Sequence, residues 1–296
     1  MKTKVILNAR AGTLLDKGGD DPAGMVERAF EAAGQPVDVI LCETEGINTC
    51  LDEAVKSEAE AVIIGGGDGT VAMAVDRLAG KGTALGILPF GTLNLLAKDI
   101  GIPLEFEAAV EALAKARPKM IDLAEINDKP FHTLSGLGFF SEIARAREEV
   151  RGLKLPFGRY VAVAVSAYRA LKRVKPMKLE LDVDGSVRQV EAYALLVTNN
   201  AFEGPGWSRP RLDEGVLEVH VGHDTTLADR LKAGADLITD AWRDNPEIES
   251  FKARRVTVSR RNRTKLWTAT DGEVSRETAP LRYSIRPRGL AVLAPD

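Results

Sequence analysis

One short turn in the chain carries residues suited to phosphate chemistry. The stretch IIGGGDGTVAMAV, residues 63–75, passes from an apolar strand pattern through a glycine-rich turn into a helix pattern. Such a turn aims backbone N–H groups and the positive end of a helix at one point, which favours a bound anion. The residues of the turn are Gly65, Gly66, Gly67, Asp68, Gly69 and Thr70.

The carboxylate of Asp68 is the informative group in this turn. It would repel phosphates unless a divalent cation lay between them, so the turn predicts a site for a Mg²⁺-bound nucleotide. In the alternative interpretation, Asp68 only accommodates a left-handed turn or caps the helix.

Two further turns carry polar residues of the same kind. The stretch LPFGTLNLLAKDIGIP, residues 88–103, follows the next predicted strand and places Gly91, Thr92 and Asn94 at the same carboxyl edge, where open α/β sheets bind ligands. Thr92 can donate its hydroxyl to a phosphate, and Asn94 can bond a nucleotide or a substrate oxygen. Near the end of the chain, Asp271-Gly272-Glu273 adds an acidic turn, which by itself is also typical of an ordinary hairpin.

The elements that position the first two turns alternate between strand and helix over the first 120 residues. Asp21-Pro22 predicts a helix start and Gly34 a helix stop. This alternation predicts right-handed crossovers and a parallel sheet with helices on both faces. Strands are predicted at residues 5–7, 37–41, 61–64 and 84–88, and helices at 48–57, 71–78 and 106–116.

The pattern changes near Pro118, after which period-2 alternation predicts a mostly antiparallel β-sandwich. Asp184-Gly185 predicts a hairpin turn. Strands are expected at residues 119–126, 131–137, 216–221, 256–259, 266–270, 281–285 and 290–293, and helices near 159–173 and 227–242. We therefore expect an α/β domain over residues 1–122 and a β-sandwich domain over 123–287, with a cleft between them. The last strand, about residues 288–296, is expected to return to the first domain.

The composition is typical of a globular protein and does not indicate a nucleic-acid-binding or membrane-spanning one. Apolar residues make up 45% and charged residues 28% of the chain, and the formal charge is −3, so no global attraction to nucleic acid or anionic membranes is expected. The opening MKTKVILNAR predicts a strand rather than a signal peptide, and no apolar run approaches the ~20 residues of a membrane span. Cys42 and Cys50 are predicted to be small buried thiols in a reducing cytoplasm.

Together these motifs resemble the diacylglycerol kinase catalytic family, which includes bacterial soluble lipid kinases and sphingosine kinases. The likeness is carried by the GGDGT turn, by PFGTLN at residues 89–94 and by the late DGE. The opening LNARAG resembles the family's nucleotide loop through Asn8 and Gly12, and CETEGIN places Thr44 where relatives have a nucleotide-contacting threonine. The chain has Leu95 where many members have an aspartate.

The resemblance implies a two-domain ATP:lipid phosphotransferase, with an NAD kinase/diacylglycerol kinase-like α/β domain holding nucleotide in the cleft. It implies that Asp68 lies near a catalytic Mg²⁺ and that Glu273 is the general base, although Asp68 could also serve as the base. It assigns ATP binding to Asn8, Thr44, Gly65, Gly66, Gly67, Asp68, Gly69, Thr70, Gly91, Thr92 and Asn94.

A second, structural Mg²⁺ site is also implied by the resemblance. Relatives have it in a loop of the β domain that is similar to RLDEGVLEV, residues 211–219. The matching positions are the side chain of Glu214 and the main-chain oxygens of Arg211 and Val216.

The implied partner is a lipid alcohol, met at a membrane surface by an otherwise cytoplasmic protein. The basic apolar segment at residues 158–178 is either a membrane-contacting helix or a helix packed on the sheet with a solvated basic end. Nucleic acid is not an expected partner, and the oligomeric state, a homodimer included, stays open. The alternatives are an NAD kinase-like phosphotransferase, which shares GGDGT, and a non-catalytic nucleotide-binding regulator, for which Leu95 is the support.

Overall fold

The computed structural model describes residues 1–9, 21–43, 46–149, 168–203, 208–223, 226–239 and 241–295. The strands are β1 (Thr3–Asn8), β2 (Val37–Cys42), β3 (Ala61–Gly66), β4 (Ala84–Pro89), β5 (Arg117–Ile126), β6 (Lys129–Phe131), β7 (Leu134–Gly138), β8 (Met177–Val183), β9 (Ser186–Asn199), β10 (Leu217–His223), β11 (Ile248–Ala253), β12 (Arg255–Arg260), β13 (Lys265–Thr270), β14 (Glu273–Thr278) and β15 (Leu281–Ala294). The helices are α1 (Pro22–Ala32), α2 (Ile47–Lys56), α3 (Asp68–Leu78), α4 (Leu95–Asp99), α5 (Phe106–Lys115), α6 (Phe139–Glu149) and α7 (Leu227–Thr239); residues 168–173 are also helical.

The first part of the chain forms parallel strands in the order β2-β1-β3-β4. Every residue of β3 and β4 is buried, which requires cover on both faces of the sheet and explains their continuous apolar runs. The helix start at Asp21 is confirmed, because its carboxylate accepts the backbone N–H of Gly24 at 2.9 Å and a proline follows it. The helix ends before Gly34, which has a φ of +70°.

The second part of the chain is antiparallel, with strands in the order β14-β13-β7-β9-β8-β12 and with β10 and β11 paired beside β9. The predicted turn at Asp184-Gly185 joins β8 to β9, and both residues have positive φ. The apolar faces of these strands share a core of their own, separate from the core around the parallel strands. The predicted fold class, a parallel α/β part followed by an antiparallel β-sandwich, is confirmed.

Strand β15 joins the two parts. The two strands predicted at residues 281–285 and 290–293 form this single strand, which changes register between Arg286 and Leu290. It pairs with β12 and β5 in antiparallel fashion and with β4 in parallel fashion at Val292. Its last residues, 290–294, lie in the core of the parallel part.

Several local predictions were wrong. The strand predicted at residues 131–137 is broken at His132 and Thr133 into β6 and β7, because an aspartate side chain binds the N–H groups there. Helices α4 and α6 and strands β11 and β14 were not predicted, since they are short or lack clear periodicity. The helix predicted near residues 159–173 lies mostly outside the described residues.

The two cysteines also correct the sequence analysis. They were predicted to be free thiols, but Cys42 and Cys50 form a disulfide, with Cα atoms 6.9 Å apart. The reason is topological: Cys42 is the last residue of β2 and Cys50 lies in the first half of α2, so the connection folds them together. Among the described residues, none of the helices is long and apolar enough to span a membrane.

Candidate active site

The two glycine turns lie against each other at the carboxyl edge of the parallel strands. Strands β3 and β4 are paired to their ends, with Gly66 opposite Pro89, so both turns leave the sheet at the same level. A Cβ atom added to Gly91 would lie 2.8 Å from the Cα of Gly67, and one added to Gly67 would lie 3.3 Å from the Cα of Gly91. The backbones are therefore in direct contact, which leaves no room for a side chain at Gly91 and only a tight fit for a Cβ atom at Gly67.

The glycines before this contact are required by packing as well. A Cβ on Gly65 would come within 2.6 Å of the Phe90 ring, and one on Gly66 within 2.6 Å of the Thr70 side chain. Part of the glycine signature thus reflects the close packing of turn, strand and helix, in addition to the proposed exposure of backbone to a ligand.

Asn94 closes the second turn on itself. Its side-chain amide accepts the N–H of Gly91 at 2.8 Å and donates to the carbonyl oxygen of Gly91 at 2.9 Å, and its φ is +49°. The residue is buried, so in this structure its amide shapes the loop. Thr92 is exposed at the tip of the same turn.

Asp68 joins the two turns through hydrogen bonds. It is the first residue of α3, and its carboxylate accepts the backbone N–H groups of Asn94 and Leu95, both at 3.2 Å. The capping interpretation is therefore partly correct, but the helix that Asp68 caps is the neighbouring α4. Each carboxylate oxygen has two lone-pair sites, so capacity for a metal ion remains.

Glu273 approaches this pair of turns from the antiparallel part of the chain. Its Oε1 atom lies 3.6 Å from the position that a Cβ on Gly69 would occupy. Glu273 is exposed, at the start of β14, and Gly69 lies in the first turn of α3. The structure thus brings the GGDGT turn, the PFGTLN turn and the DGE turn together at one place, as the sequence predicts.

Asp271 fixes the turn that carries Glu273. Asp271 and Gly272 form the β13–β14 hairpin turn, with φ values of +47° and +87°. The Asp271 side chain is 4% exposed and accepts the N–H groups of His132, Thr133 and Leu134 at 2.8, 2.9 and 3.1 Å. The turn is therefore more than an ordinary hairpin, because its aspartate is bonded to a neighbouring segment of the sheet.

His132 lies at the centre of this arrangement. Burial lowers the pKa of its imidazole below the usual value, and the nearby Asp271 carboxylate opposes that shift only in part. Its Nδ1 atom is 2.8 Å from the hydroxyl of Thr133. The ring is therefore neutral near pH 7, so it does not supply a positive charge to the site.

A buried polar junction lies behind the three turns. Arg209 is fully buried and pairs with Asp99 at the end of α4, and the Asn199 side chain donates to the carbonyl oxygens of Asp122 and His132. None of these residues belongs to a motif recognised in the sequence. One signal was present: an aspartate at the carboxyl end of a helix faces the negative end of the helix dipole, so Asp99 needs a cationic partner.

Two predicted nucleotide residues lie at or beyond the edge of the described chain. Asn8 is buried at the carboxyl end of β1, opposite Cys42 and next to β3 in the sheet. It therefore shares the sheet edge with the glycine turns. Thr44 and Gly12 are outside the described residues.

The residues of the predicted second Mg²⁺ site lie together but are already bonded. The Glu214 carboxylate pairs with the Arg211 guanidinium and with Lys252, whose Nζ is 3.4 Å from Oε2. The main-chain oxygen of Val216 accepts the N–H of Asn200 at 3.0 Å. Two cations contact the carboxylate of this set, so a divalent cation would have to displace them in order to bind there.

Comparison with protein families supports the architecture. Residues 2–126 match the model of the diacylglycerol kinase catalytic domain, and residues 141–294 match that of the YegS C-terminal NAD kinase beta sandwich-like domain. Among solved structures, one from Bacillus anthracis str. Sterne described as a diacylglycerol kinase has a TM-score of 0.71 and 20% sequence identity, covering 99% of this chain and 96% of that one. At this identity the likeness shows the fold alone.

Similarity to curated proteins extends over most of the chain. A diacylglycerol kinase of Bacillus subtilis (strain 168) is 26% identical over 87% of this chain and 86% of its own length, and one of Staphylococcus aureus (strain Newman) is 24% identical over 100% and 93%. An uncharacterized protein of Synechocystis is 26% identical over 82% of this chain, which spans 57% of that relative. With its diacylglycerol kinase catalytic domain and YegS-type C-terminal domain, the chain belongs to the diacylglycerol kinase family.

Proposed function

We propose that the protein is an ATP- and Mg²⁺-dependent lipid kinase that phosphorylates a hydroxyl of a lipid alcohol. The acceptor would be diacylglycerol, a related glycerolipid or a sphingoid base. The observation that carries the proposal is the Glu273 carboxylate beside Gly69, where it would serve as a base next to the predicted phosphate turn. Relatives named diacylglycerol kinase support a lipid acceptor.

The nucleotide would bind where the two glycine turns meet. The N–H groups of Asp68 and Gly69 precede the first hydrogen bonds of α3, which run from Thr70 and Val71 to the Gly67 carbonyl oxygen, and glycine lets a phosphate approach that backbone closely. Thr92 would add a hydroxyl donor from the exposed tip of the second turn. Asn8 would contact the nucleotide from the end of β1, and by the family resemblance Thr44 would contact it as well.

Asp68 would hold the catalytic Mg²⁺. Its position fits, because a nucleotide-bound Mg²⁺ needs only one or two protein carboxylates, with phosphates and water completing the coordination. When bound, Mg²⁺ would neutralise charge on the transferring phosphoryl group. The two N–H groups that Asp68 accepts hold its carboxylate in place at the junction of the turns.

Glu273 is the better candidate for the general base. Both oxygens of Asp68 already accept backbone N–H groups, and the proposed Mg²⁺ would take up more of their lone pairs, so fewer sites on this carboxylate are free to accept a proton. Glu273 is exposed, and its carboxylate can take the proton from a lipid hydroxyl as that oxygen attacks phosphorus. A positioned base of this kind contributes roughly 10²–10⁴-fold to the rate.

The reaction would take place at the cytoplasmic face of a membrane, where a lipid substrate and ATP meet. The proposed contact with the membrane is transient and lasts for the exchange of substrate and product. Nucleic acid has no part in the proposal.

Transfer of ³²P from ATP to a total lipid extract tests the function. We expect a labelled lipid in the presence of Mg²⁺ and none after chelation. A parallel reaction with NAD as acceptor is the control for the related NAD kinase activity. Label in NAD and none in lipid would overturn the proposal, and so would the absence of label from both.

A further inference from the structure

The geometry points to the buried ion pair between Asp99 and Arg209 as a positioning element that sets Glu273 against the GGDGT turn. The inference rests on the proposed function for its catalytic meaning. Neither residue touches the place proposed for the reacting atoms, so both would act through other groups.

The ion pair is dry and geometrically specific. The Arg209 side chain is 0% exposed and the Asp99 side chain 2%. The Nε and Nη2 atoms of Arg209 lie 2.9 and 2.5 Å from Oδ2 of Asp99, and the backbone N–H of Arg209 donates to Oδ1 at 3.0 Å. Three donors of one residue thus hold one carboxylate, which fixes the orientation of both partners.

The remaining nitrogen of the guanidinium extends the contact to the antiparallel part. Nη1 of Arg209 donates to the carbonyl oxygens of His132 at 2.5 Å and Asn199 at 3.0 Å. One buried cation therefore connects α4, the break between β6 and β7, and the end of β9. Its partners are separated from it by 110, 77 and 10 residues in sequence.

The contacts of Arg209 on each side connect it to one of the two candidate catalytic carboxylates, Asp68 and Glu273. Helix α4 ends at Asp99 and begins at Leu95, whose N–H is bonded to Asp68. On the other side, the N–H of His132 is bonded to Asp271, two residues before Glu273. A shift of Arg209 would therefore change the distance between Glu273 and the turn that carries Asp68.

Stability alone is a poor explanation for the pair. Removing two charges from water costs about as much as their attraction returns, and apolar residues of similar volume often serve stability equally well. A buried pair held by three donors restricts geometry, and the alignment of a base with the acceptor hydroxyl and the phosphoryl group needs such a restriction.

The first test is the kinetics of Arg209→Met with its matched control. We expect kcat to fall at least tenfold while KM for ATP stays within about twofold, since a 1 Å misplacement can cost roughly 10²-fold. Arg209→Lys keeps the positive charge but lacks the planar set of guanidinium N–H donors, so it should recover only part of the lost kcat. The control is Arg243→Met, which removes a guanidinium bound to Glu218 and Phe202 within the antiparallel part, and kcat should stay within about twofold.

A double variant guards against misfolding. Arg209→Met leaves Asp99 buried without a cation, whereas Asp99→Leu combined with Arg209→Met removes both charges and should fold. Its kcat should remain at least tenfold below wild type. A double variant with the kcat of wild type would overturn the inference.

The second test asks whether Arg209 acts through Glu273. In a Glu273→Gln background the base is absent, so Arg209→Met should lower the residual rate by less than about threefold. An equal loss in both backgrounds would show that Arg209 acts elsewhere and would overturn the inference.

A distance measurement separates this inference from the proposed function. Spin labels on cysteines at the exposed positions Glu111 and Lys265 report the separation of the two parts of the chain, in a background with Cys42 and Cys50 replaced by serine. We expect Arg209→Met to shift or broaden the distance distribution. If wild type labels no lipid but the distribution changes, the proposed function fails and the positioning role stands. If wild type is active and neither distance nor kcat changes in Arg209→Met, the positioning role fails.

Discussion

Replacing Asp271 by asparagine should loosen the turn that carries Glu273. Oδ1 of Asp271 accepts two N–H groups and Oδ2 accepts one, so an asparagine oxygen can retain two of the three bonds at best. The lost bond ends at a charged acceptor and leaves the buried N–H of His132 opposite an amide NH₂. We expect the free energy of unfolding to fall by about 2–3 kcal/mol. Loss of all three bonds in Asp271→Ala should cost more than ~4 kcal/mol.

The effect on turnover follows from the same geometry. Glu273 lies two residues beyond Asp271, so a looser turn moves the proposed base away from the acceptor hydroxyl. We expect kcat for lipid phosphorylation to fall tenfold to a hundredfold in Asp271→Asn, with little change in ATP affinity. Urea unfolding gives the stability, and ³²P transfer at saturating ATP gives kcat.

Asp184 offers a matched control within the same chain. It occupies the equivalent position of the Asp184-Gly185 turn, with a φ of +49°, and its carboxylate accepts the N–H groups of Arg254 and Arg255. Because that turn is exposed, Asp184→Asn should cost less than ~1 kcal/mol and leave kcat unchanged. Equal kcat values for Asp271→Asn and wild type would refute the reasoning, as would an equal loss in Asp184→Asn.

Three further outcomes are expected. Gly91→Ala should lose nucleotide binding because its Cβ would lie 2.8 Å from the Cα of Gly67; unchanged ATP affinity would contradict the contact between the turns. Chelation with EDTA should leave the Tm unchanged, because Arg211 and Lys252 already pair with Glu214. Lys252→Met leaves Glu214 with one cation and should lower the Tm by a few degrees. A Tm that falls with EDTA would support a structural metal ion at Glu214. Because the pKa of His132 is lowered in the folded state, the unfolded chain binds a proton on this residue more readily, so stability should decline as pH falls below about 6.5. The decline of Tm with pH should be shallower in His132→Gln, and equal slopes for the variant and wild type would count against a buried neutral ring.

The parts of the fold that follow from local chemistry were predictable from the sequence. Glycine turns after buried strands, Asp-Gly hairpins and the Asp21-Pro22 helix start each depend on a few neighbouring residues. The meeting of the two glycine turns was predictable because parallel strands present their carboxyl ends at one edge, whereas the approach of the DGE turn from the antiparallel part was expected only from the family resemblance. Residue type and order in sequence were sufficient for these features.

The contacts that hold the site together were not predictable in this way. Asp99 and Arg209 are 110 residues apart, and nothing in either local pattern identifies the other as its partner. The break between β6 and β7 depends on Asp271, which lies more than 130 residues away. The disulfide and the pairing of Glu214 with Lys252 likewise arise from tertiary packing rather than from periodicity.

The most direct test of the account is a single-turnover comparison of wild type with Glu273→Gln, using ³²P-labelled ATP, Mg²⁺ and the lipid acceptor. Glutamine keeps the size of the side chain beside Gly69 but cannot take up the hydroxyl proton. We expect roughly 10²–10⁴-fold slower transfer in Glu273→Gln, with a Kd for ATP within about twofold of wild type. A variant that transfers phosphate at the wild-type rate would contradict this expectation.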